Sequence, residues 1–463
     1  LLLTIDKMIY GGDGLARLPA GSPNDEHGRG KAVFVPFVLE GEKIEATLTE
    51  QKPGFARARA EAVTEPSPHR TSPACPYFTQ CGGCHYQHTS YEHQLEIKKE
   101  ILRETLQRTA KLDLPFEIQA QPSPPWNYRN RSRLQVETRP NFAAGYFRTS
   151  SHNLLPVESC PISSPLINRG IAALWQSGRS GEVPEGVREI EFFANADDTQ
   201  LLVDLQCSPA GRRAAVRTWA EDFQGALPEI AGIEAYREAQ SNASRSSASR
   251  TAISQPQPST RAENLLSLGS DHLTYRTDRA SYRVSAGSFF QTNRHLTDKL
   301  VELVTAGRSG DLVLDLYAGV GLFSTALAGD FRHIVSVESS QHSSADLAYN
   351  LPSNGKAVQA TTEQYLARAE NSRPRAKGEV LPQPFSTPDL VVVDPPRSGL
   401  GERVARQLAN LRAPRVTYVS CDPSTLARDL VPLLAAGYRV DQVHIVDLFP
   451  QTFHLETVVQ LVR

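Results

Sequence analysis

The sequence predicts a multidomain chain of the α/β plus β class. It has an amino-terminal OB-like β-barrel, a central mostly β domain with a cysteine-held metal, and a carboxyl-terminal doubly wound, Rossmann-like domain. Three observations predict this. Residues 1 to about 60 alternate in short strand-like runs broken by Gly and Pro, three of the six cysteines crowd between Cys75 and Cys84, and from about Ser281 β-rich runs alternate with helical segments.

A chain of 463 residues is long enough for two to four domains, each with its own core. Hydrophobic residues at 40% and charged residues at 22% fit a soluble globular protein. No apolar run approaches the ~18 residues of a membrane span. The opening LLLTIDKMIYGGDG lacks a charged leader, so a cytoplasmic monomer without a membrane partner is expected. The cysteines are too sparse for a disulfide scaffold.

The barrel is read from LLLTIDKMI, the turn GGDGLARL, then KAVFVPFV, EKIEATLTEQK and FARARAEAV. After the cysteine cluster, residues 91–112 place apolar and charged side chains at helical spacing. From Pro122 to about Leu268 the pattern returns to strands, as in IEFFANADDTQLLVDLQCS. Residues 240–264 and 371–388 are rich in Ser, Arg, Gln and Pro, too polar to offset their ordering entropy, and are expected to be loops.

A net charge of −2 gives no global pull on nucleic acid, so such a partner needs a local patch. Residues 123–150 offer one: Arg129, Arg131, Arg133, Arg139 and Arg148 interleaved with Trp126, Tyr128, Phe142, Tyr146 and Phe147. Guanidinium groups hold phosphates and aromatic faces stack on bases. The same residues also suit a solvated sheet face with an aromatic core.

Ligands of a doubly wound sheet bind at the carboxyl ends of its strands, so motifs there carry the chemistry. In DLYAGVGLFSTALAG, Gly319 and Gly321 let the backbone approach a ligand, and Glu338 ends the next strand, placed to hold ribose hydroxyls. The third glycine of a dinucleotide fingerprint is replaced by Ser324, which favours S-adenosylmethionine over a cofactor with a pyrophosphate. VVVDPPRSGL presents Asp394 at a stiffened strand end, where it suits a planar nitrogen heterocycle.

In YVSCDPSTLARDL, Cys421 stands between a strand and a helix whose N-cap is Asp422 and whose first turn holds Pro423. The helix field there favours a thiolate, and Asp422 opposes it. In FPQTFHLETVVQL, Glu456 sits early in an apolar strand, where burial raises a carboxylate towards a useful base; His454 also suits a core position. A cysteine nucleophile, a carboxylate base and a methyl donor fit one reaction well. Thiolate addition to carbon 6 of uracil makes carbon 5 nucleophilic, and a base then removes the carbon 5 proton so that the thiol is released.

Cys75, Cys81 and Cys84 follow a C-x5-C-x2-C spacing, and Cys160 before Pro161 supplies a fourth thiolate. Four thiolates suit zinc or an iron–sulfur cluster, with zinc favoured on spacing alone. Cys207, in an apolar strand-like run, reads as core.

Through SFFQTN, DLYAGVG, VDPPRSGL, SCDPSTLARDL and FPQTFHLETVVQL, the chain resembles the RNA 5-methyluridine methyltransferase family over nearly its whole length. The resemblance implies S-adenosylmethionine contacts at Gln291, Tyr317, Glu338 and Asp394, nucleophile Cys421 and base Glu456. Thr362 stands near a further cofactor position where the family usually has Asn or Asp. The amino-terminal barrel resembles a TRAM domain, which helps bind RNA. Relatives with this cysteine spacing carry a [4Fe–4S] cluster, so the resemblance implies that cluster on Cys75, Cys81, Cys84 and Cys160.

The implied divisions are a barrel over 1–60, a central iron–sulfur and RNA-binding domain over 61–90 and 120–275, and a methyltransferase domain over 91–119 and 276–463. The cluster and the TRAM-like barrel favour ribosomal RNA over transfer RNA as substrate. An amino methyltransferase would need neither Cys421 nor Glu456, and a non-catalytic iron–sulfur RNA-binding factor would have no use for the combined motif set.

Overall fold

A computed structural model of the protein describes residues 1–18, 30–238, 261–371 and 387–463. Strands β1 (Leu2–Met8), β2 (Asp13–Arg17), β3 (Ala32–Pro36), β4 (Lys43–Gln51) and β5 (Phe55–Glu65) close a barrel in the order β1-β2-β3-β5-β4. Alternation drives it: Leu3, Ile5, Val33, Val35, Ile44 and Ala46 point inward as one apolar core while their neighbours face solvent. Met8 and Leu39 turn away from that core and join the core of the carboxyl-terminal sheet.

Helix α1 (Tyr91–Thr105) starts at Ser90, whose hydroxyl accepts the His93 N–H, and continues as a wider turn over Leu106–Ala110. Its buried face carries Ile97, Ile101 and Leu102 into the carboxyl-terminal core. On the same face Lys98 forms a fully buried ion pair with Asp447 at 2.5 Å. Strand β6 (Gln119–Gln121) then pairs with an edge of the carboxyl-terminal sheet, so that sheet extends past residue 119.

The central sheet comprises β7 (Arg131–Glu137), β8 (Ala143–Phe147), β9 (Leu154–Pro156), β10 (Val187–Ala194), β11 (Leu201–Cys207), β12 (Ile230–Glu238) and β13 (Arg261–Gly269), ordered β13-β12-β11-β10-β7-β8-β9. Helices α2 (Pro165–Arg179) and α3 (Arg213–Ala226) cover it, and Trp175, Trp219 and Phe223 fill the interface. Cys207 is buried in this core. Residues 261–264, expected within a polar loop, instead begin β13; most of that segment, like most of 371–388, lies outside the described residues. Pairing along a sheet edge satisfies the backbone whatever the side chains, which is why composition misread those residues.

A hairpin of β14 (His272–Arg276) and β15 (Ser281–Ser285) precedes α4 (Thr297–Thr305). The carboxyl-terminal unit then alternates β16 (Gly310–Leu316), α5 (Leu322–Ala326), β17 (Phe331–Glu338), α6 (Gln341–Asn350), β18 (Gly355–Gln359), α7 (Thr362–Asn371), β19 (Leu390–Val393), α8 (Gly401–Leu411), β20 (Arg415–Ser420) and α9 (Pro423–Ala435). Two strands follow, β21 (Arg439–Val446) and β22 (Glu456–Val462). The sheet order is β18-β17-β16-β19-β20-β22-β21-β6. Its first five strands are parallel and change winding direction between β16 and β19, the switch point at whose carboxyl ends ligands of such sheets bind. The sheet is not wholly parallel, because β22 inserts antiparallel between β20 and β21.

Candidate active site

The turn after β16 is built for close approach. Tyr317, Gly319 and Gly321 all have left-handed backbones, with φ of 62°, 55° and 93°. A Cβ added at Gly319 would meet open space, so the loop is not packed against protein at that point. Glu338, ending β17, accepts the Gly319 N–H at 2.9 Å and the Ser340 N–H at 2.6 Å, which points its carboxylate across the loop. Under the loop, Asp315 accepts the Ser324 N–H at 3.1 Å and the Ser324 hydroxyl; burial, aided by nearby Glu338, pushes its carboxyl up to about 7.

Tyr317 hydrogen-bonds to the Thr362 side chain, which occupies that hydroxyl at the start of α7. Gln291 is buried in the SFFQTN loop, where the Asn130 amide of the central domain donates to its carbonyl at 3.1 Å. Beside it, Phe289 is an exposed aromatic ring, 52% accessible, that sequence reasoning missed. Only exposure distinguishes it from buried Phe290.

Cys421 follows the last residue of β20 and is partly exposed, unlike Cys207. Because β22 runs antiparallel beside β20 with Ser420 opposite Thr457, Glu456 at the start of β22 lies across from Cys421. Asp394, just after β19, adds its field to both. Burial and then Asp394 push the Glu456 carboxyl well above the usual carboxylate range, against the pull of Arg397. The Cys421 thiol is pushed up by burial, then by Glu456 and Asp394, and again Arg397 opposes them.

The α9 N-terminus does not offer its first-turn N–H groups to the Cys421 sulfur. The Asp422 side chain accepts the Ser424 and Thr425 N–H groups, both at 2.9 Å, so the cap absorbs the helix donors. The cation facing the sulfur is Arg397 of VDPPRSGL, whose Nη2 lies 3.3 Å from His454 Nδ1. Burial and that guanidinium hold His454 neutral. The signal for Arg397 was present in the motif, but its direction was not.

The cysteines form a second constellation. Cys160 raises the thiol of each of Cys75, Cys81 and Cys84 through its own charge, so the four are mutual neighbours brought from two segments. Backbone N–H groups of Tyr77 and Phe78 point at the Cys75 sulfur, that of Gly83 points at Cys81, and the Gln87 amide reaches Cys75 and Cys84. Donors aimed at sulfur suit bound thiolates. Among the described residues no three His, Cys, Asp or Glu side chains gather tightly enough for one metal ion.

The arginine-rich segment proves mainly structural. Arg133 pairs with Glu191 at 2.9 Å, and Arg139 pairs with Glu185 at 2.9 Å. Arg131 stacks over Phe193 at 4.2 Å and donates to the Ser288 carbonyl at 2.6 Å. Tyr128 is fully buried, while Phe147 remains exposed. Acids on β10 thus neutralise Arg131 and Arg133 across the strands, whereas Arg139 meets an acid that precedes β10 and Arg148 donates to the Gln80 amide oxygen.

A doubly wound sheet with an open Gly-x-Gly loop at its switch point, and a thiol across from a buried carboxyl, define a class I methyltransferase fold preceded by a β-barrel. Residues 266–463 match the model of the tRNA (Uracil-5-)-methyltransferase family, and residues 2–60 match the TRAM domain. An uncharacterized RNA methyltransferase of Aquifex aeolicus is 31% identical over 465 residues, covering 100% of this chain and 98% of the relative. Another, from Streptomyces avermitilis, is 31% identical over 485 residues, covering 98% and 96%. The tRNA (uracil-54, C5)-methyltransferase of Pyrococcus abyssi, solved with S-adenosyl-L-homocysteine, shares the fold at a TM-score of 0.69 and 22% identity, covering 99% of this chain and 100% of that one. The chain belongs to the RNA uracil-5-methyltransferase family and is an RNA methyltransferase.

Proposed function

We propose that the protein methylates carbon 5 of a uridine in large-subunit ribosomal RNA through a covalent adduct between Cys421 and carbon 6 of the base. The observation that carries this reading is Glu456 standing across the β20–β22 edge from Cys421. Gln291, Tyr317, Glu338 and Asp394 would hold S-adenosylmethionine, and the open, left-handed Gly319 loop beside Glu338 fits such a ligand. When bound there, that cofactor supplies an electrophilic methyl group on sulfonium sulfur.

Cys421 adds its sulfur to carbon 6, and the C5–C6 electron pair becomes available at carbon 5. After carbon 5 is methylated, Glu456 accepts the carbon 5 proton, the C5–C6 double bond re-forms, and the Cys421 sulfur leaves as thiolate. Arg397 holds the charge of that thiolate at both ends of the cycle. Cys75, Cys81, Cys84 and Cys160 would hold a [4Fe–4S] cluster, whose thiolates stand farther apart than those around a single ion. That separation is compatible with the lack of a single-ion site among the described residues.

Incubation with RNA carrying 5-fluorouridine and S-adenosylmethionine tests the chemistry. The carbon–fluorine bond cannot release a proton, so a denaturant-stable complex accumulates with the wild type and not with Cys421→Ser. Equal adduct from the serine variant removes Cys421 as nucleophile. Mapping 5-methyluridine in RNA from a deletion strain tests the substrate: loss from large-subunit ribosomal RNA is expected, and loss from transfer RNA alone assigns the enzyme to the other substrate.

A further inference from the structure

The first hairpin of the barrel reaches the nucleophile. Ile9 and Gly12 close its turn through the Gly12 N–H to the Ile9 carbonyl at 3.2 Å, which leaves Tyr10 at the tip. Gly12, at φ 92°, brings the turn so near the cysteine hairpin that a Cβ there would lie 3.0 Å from His85 Cβ. Tyr10 meets Phe453 edge-on, with ring centroids 5.5 Å apart, and its hydroxyl donates to the Cys421 carbonyl at 3.3 Å. The same hydroxyl engages the Asp422 side chain.

The Cys421 carbonyl needs a partner from elsewhere. The first acceptor of the α9 ladder is the Asp422 carbonyl, which takes the Leu426 N–H at 3.1 Å, and the Thr425 N–H goes to the Asp422 carboxylate. The turn bearing the nucleophile is therefore held from outside its own helix. Phe453, on which Tyr10 rests, lies three residues before Glu456, and its ring also touches His85 at 4.6 Å.

We infer that Tyr10 of the barrel is a positioning residue for the catalytic thiol: its hydroxyl fixes the Cys421–Asp422 turn and its ring seats the loop leading to Glu456. This makes the barrel one wall of the catalytic site as well as an RNA-binding module. Docking of RNA on the barrel then acts directly on the alignment of the nucleophile. The inference rests on the reading of Cys421 as nucleophile.

The test compares wild type with Tyr10→Phe, which keeps the ring on Phe453 and removes the hydroxyl. With 5-fluorouridine RNA, adduct formation by Tyr10→Phe is expected to slow about tenfold, the worth of one positioning hydrogen bond, with KM for RNA unchanged. Because the hydroxyl positions and does not ionise, the slowing is equal across the pH range. An unchanged adduct rate overturns the inference, as does a raised KM with unchanged kcat, which would make Tyr10 an RNA contact. A wild type that forms no adduct removes the nucleophile assignment itself, which separates the two failures.

Discussion

Glu456 begins β22 across from Cys421, which immediately follows β20, and the pairing of Ser420 with Thr457 sets that relationship. The acid so placed opposes ionisation of the thiol, Asp394 opposes that of both, and Arg397 favours both. Replacing the acid therefore has two separable effects. Glu456→Gln should accumulate methylated adduct on ordinary uridine and lose about a hundredfold or more in turnover, since no base remains for the carbon 5 proton. It should also move alkylation of Cys421 to lower pH, because one of the charges raising the thiol is gone. Rapid turnover by this variant, followed by release of labelled RNA, would remove Glu456 as base.

Arg397 works in the opposite direction. Its charge lowers the Cys421 thiol, so Arg397→Gln should shift the pH profile of Cys421 alkylation, and the rising limb of kcat/KM, to higher pH. Arg397→Lys keeps a charge and should recover part of the shift. Coincident wild-type and Arg397→Gln profiles would assign the thiolate's stabilisation elsewhere.

The cysteine constellation predicts a spectroscopic result independent of activity. After anaerobic purification, the wild type should carry iron and sulfide with broad visible absorbance. Serine at Cys81 or Cys84 should abolish it, and Cys207→Ser, in the central core, should leave it unchanged. Zinc without iron in the anaerobic wild type would contradict the cluster.

Asp315 links the cofactor loop to stability. Its carboxyl, at about 7 when folded against an ordinary value of 3.8, binds its proton more tightly in the native state. That contribution is complete below about pH 4 and is lost as pH rises through about 7, a change on the order of a few kcal/mol. Asp315→Asn should therefore hold its melting temperature better than wild type between about pH 5 and pH 8. Parallel loss of melting temperature in the two proteins would show that Asp315 is not the group responsible.

Much of this was legible along the chain. Alternation marked the barrel, the Gly-x-Gly turn and the strand-end motifs marked the carboxyl edge of the sheet, and cysteine spacing marked three of the four neighbouring thiols, because local pattern carries each of these. Other features were not legible. The arginine-rich segment offered a basic patch in one dimension, yet two of its charges, Arg131 and Arg133, are spent on acids of a strand that begins more than 50 residues later. Likewise, the first-turn N–H groups of the helix after Cys421 are taken by the Asp422 cap, which depends on side-chain direction.

By itself, then, the sequence determined which chemical groups this protein has and on which local elements they sit: Cys421 at a strand end, Glu456 at a strand start, four thiols in two segments. Only the tertiary structure decided who faces whom. The antiparallel insertion of β22 set Glu456 against Cys421, the convergence of distant strands raised Asp315, and the barrel brought Tyr10 to the nucleophile. The physical reason is that propensity and spacing act over a few residues. Burial, field and hydrogen-bond partners are set by neighbours in space, and here these come from parts of the chain that lie from under ten to several hundred residues apart.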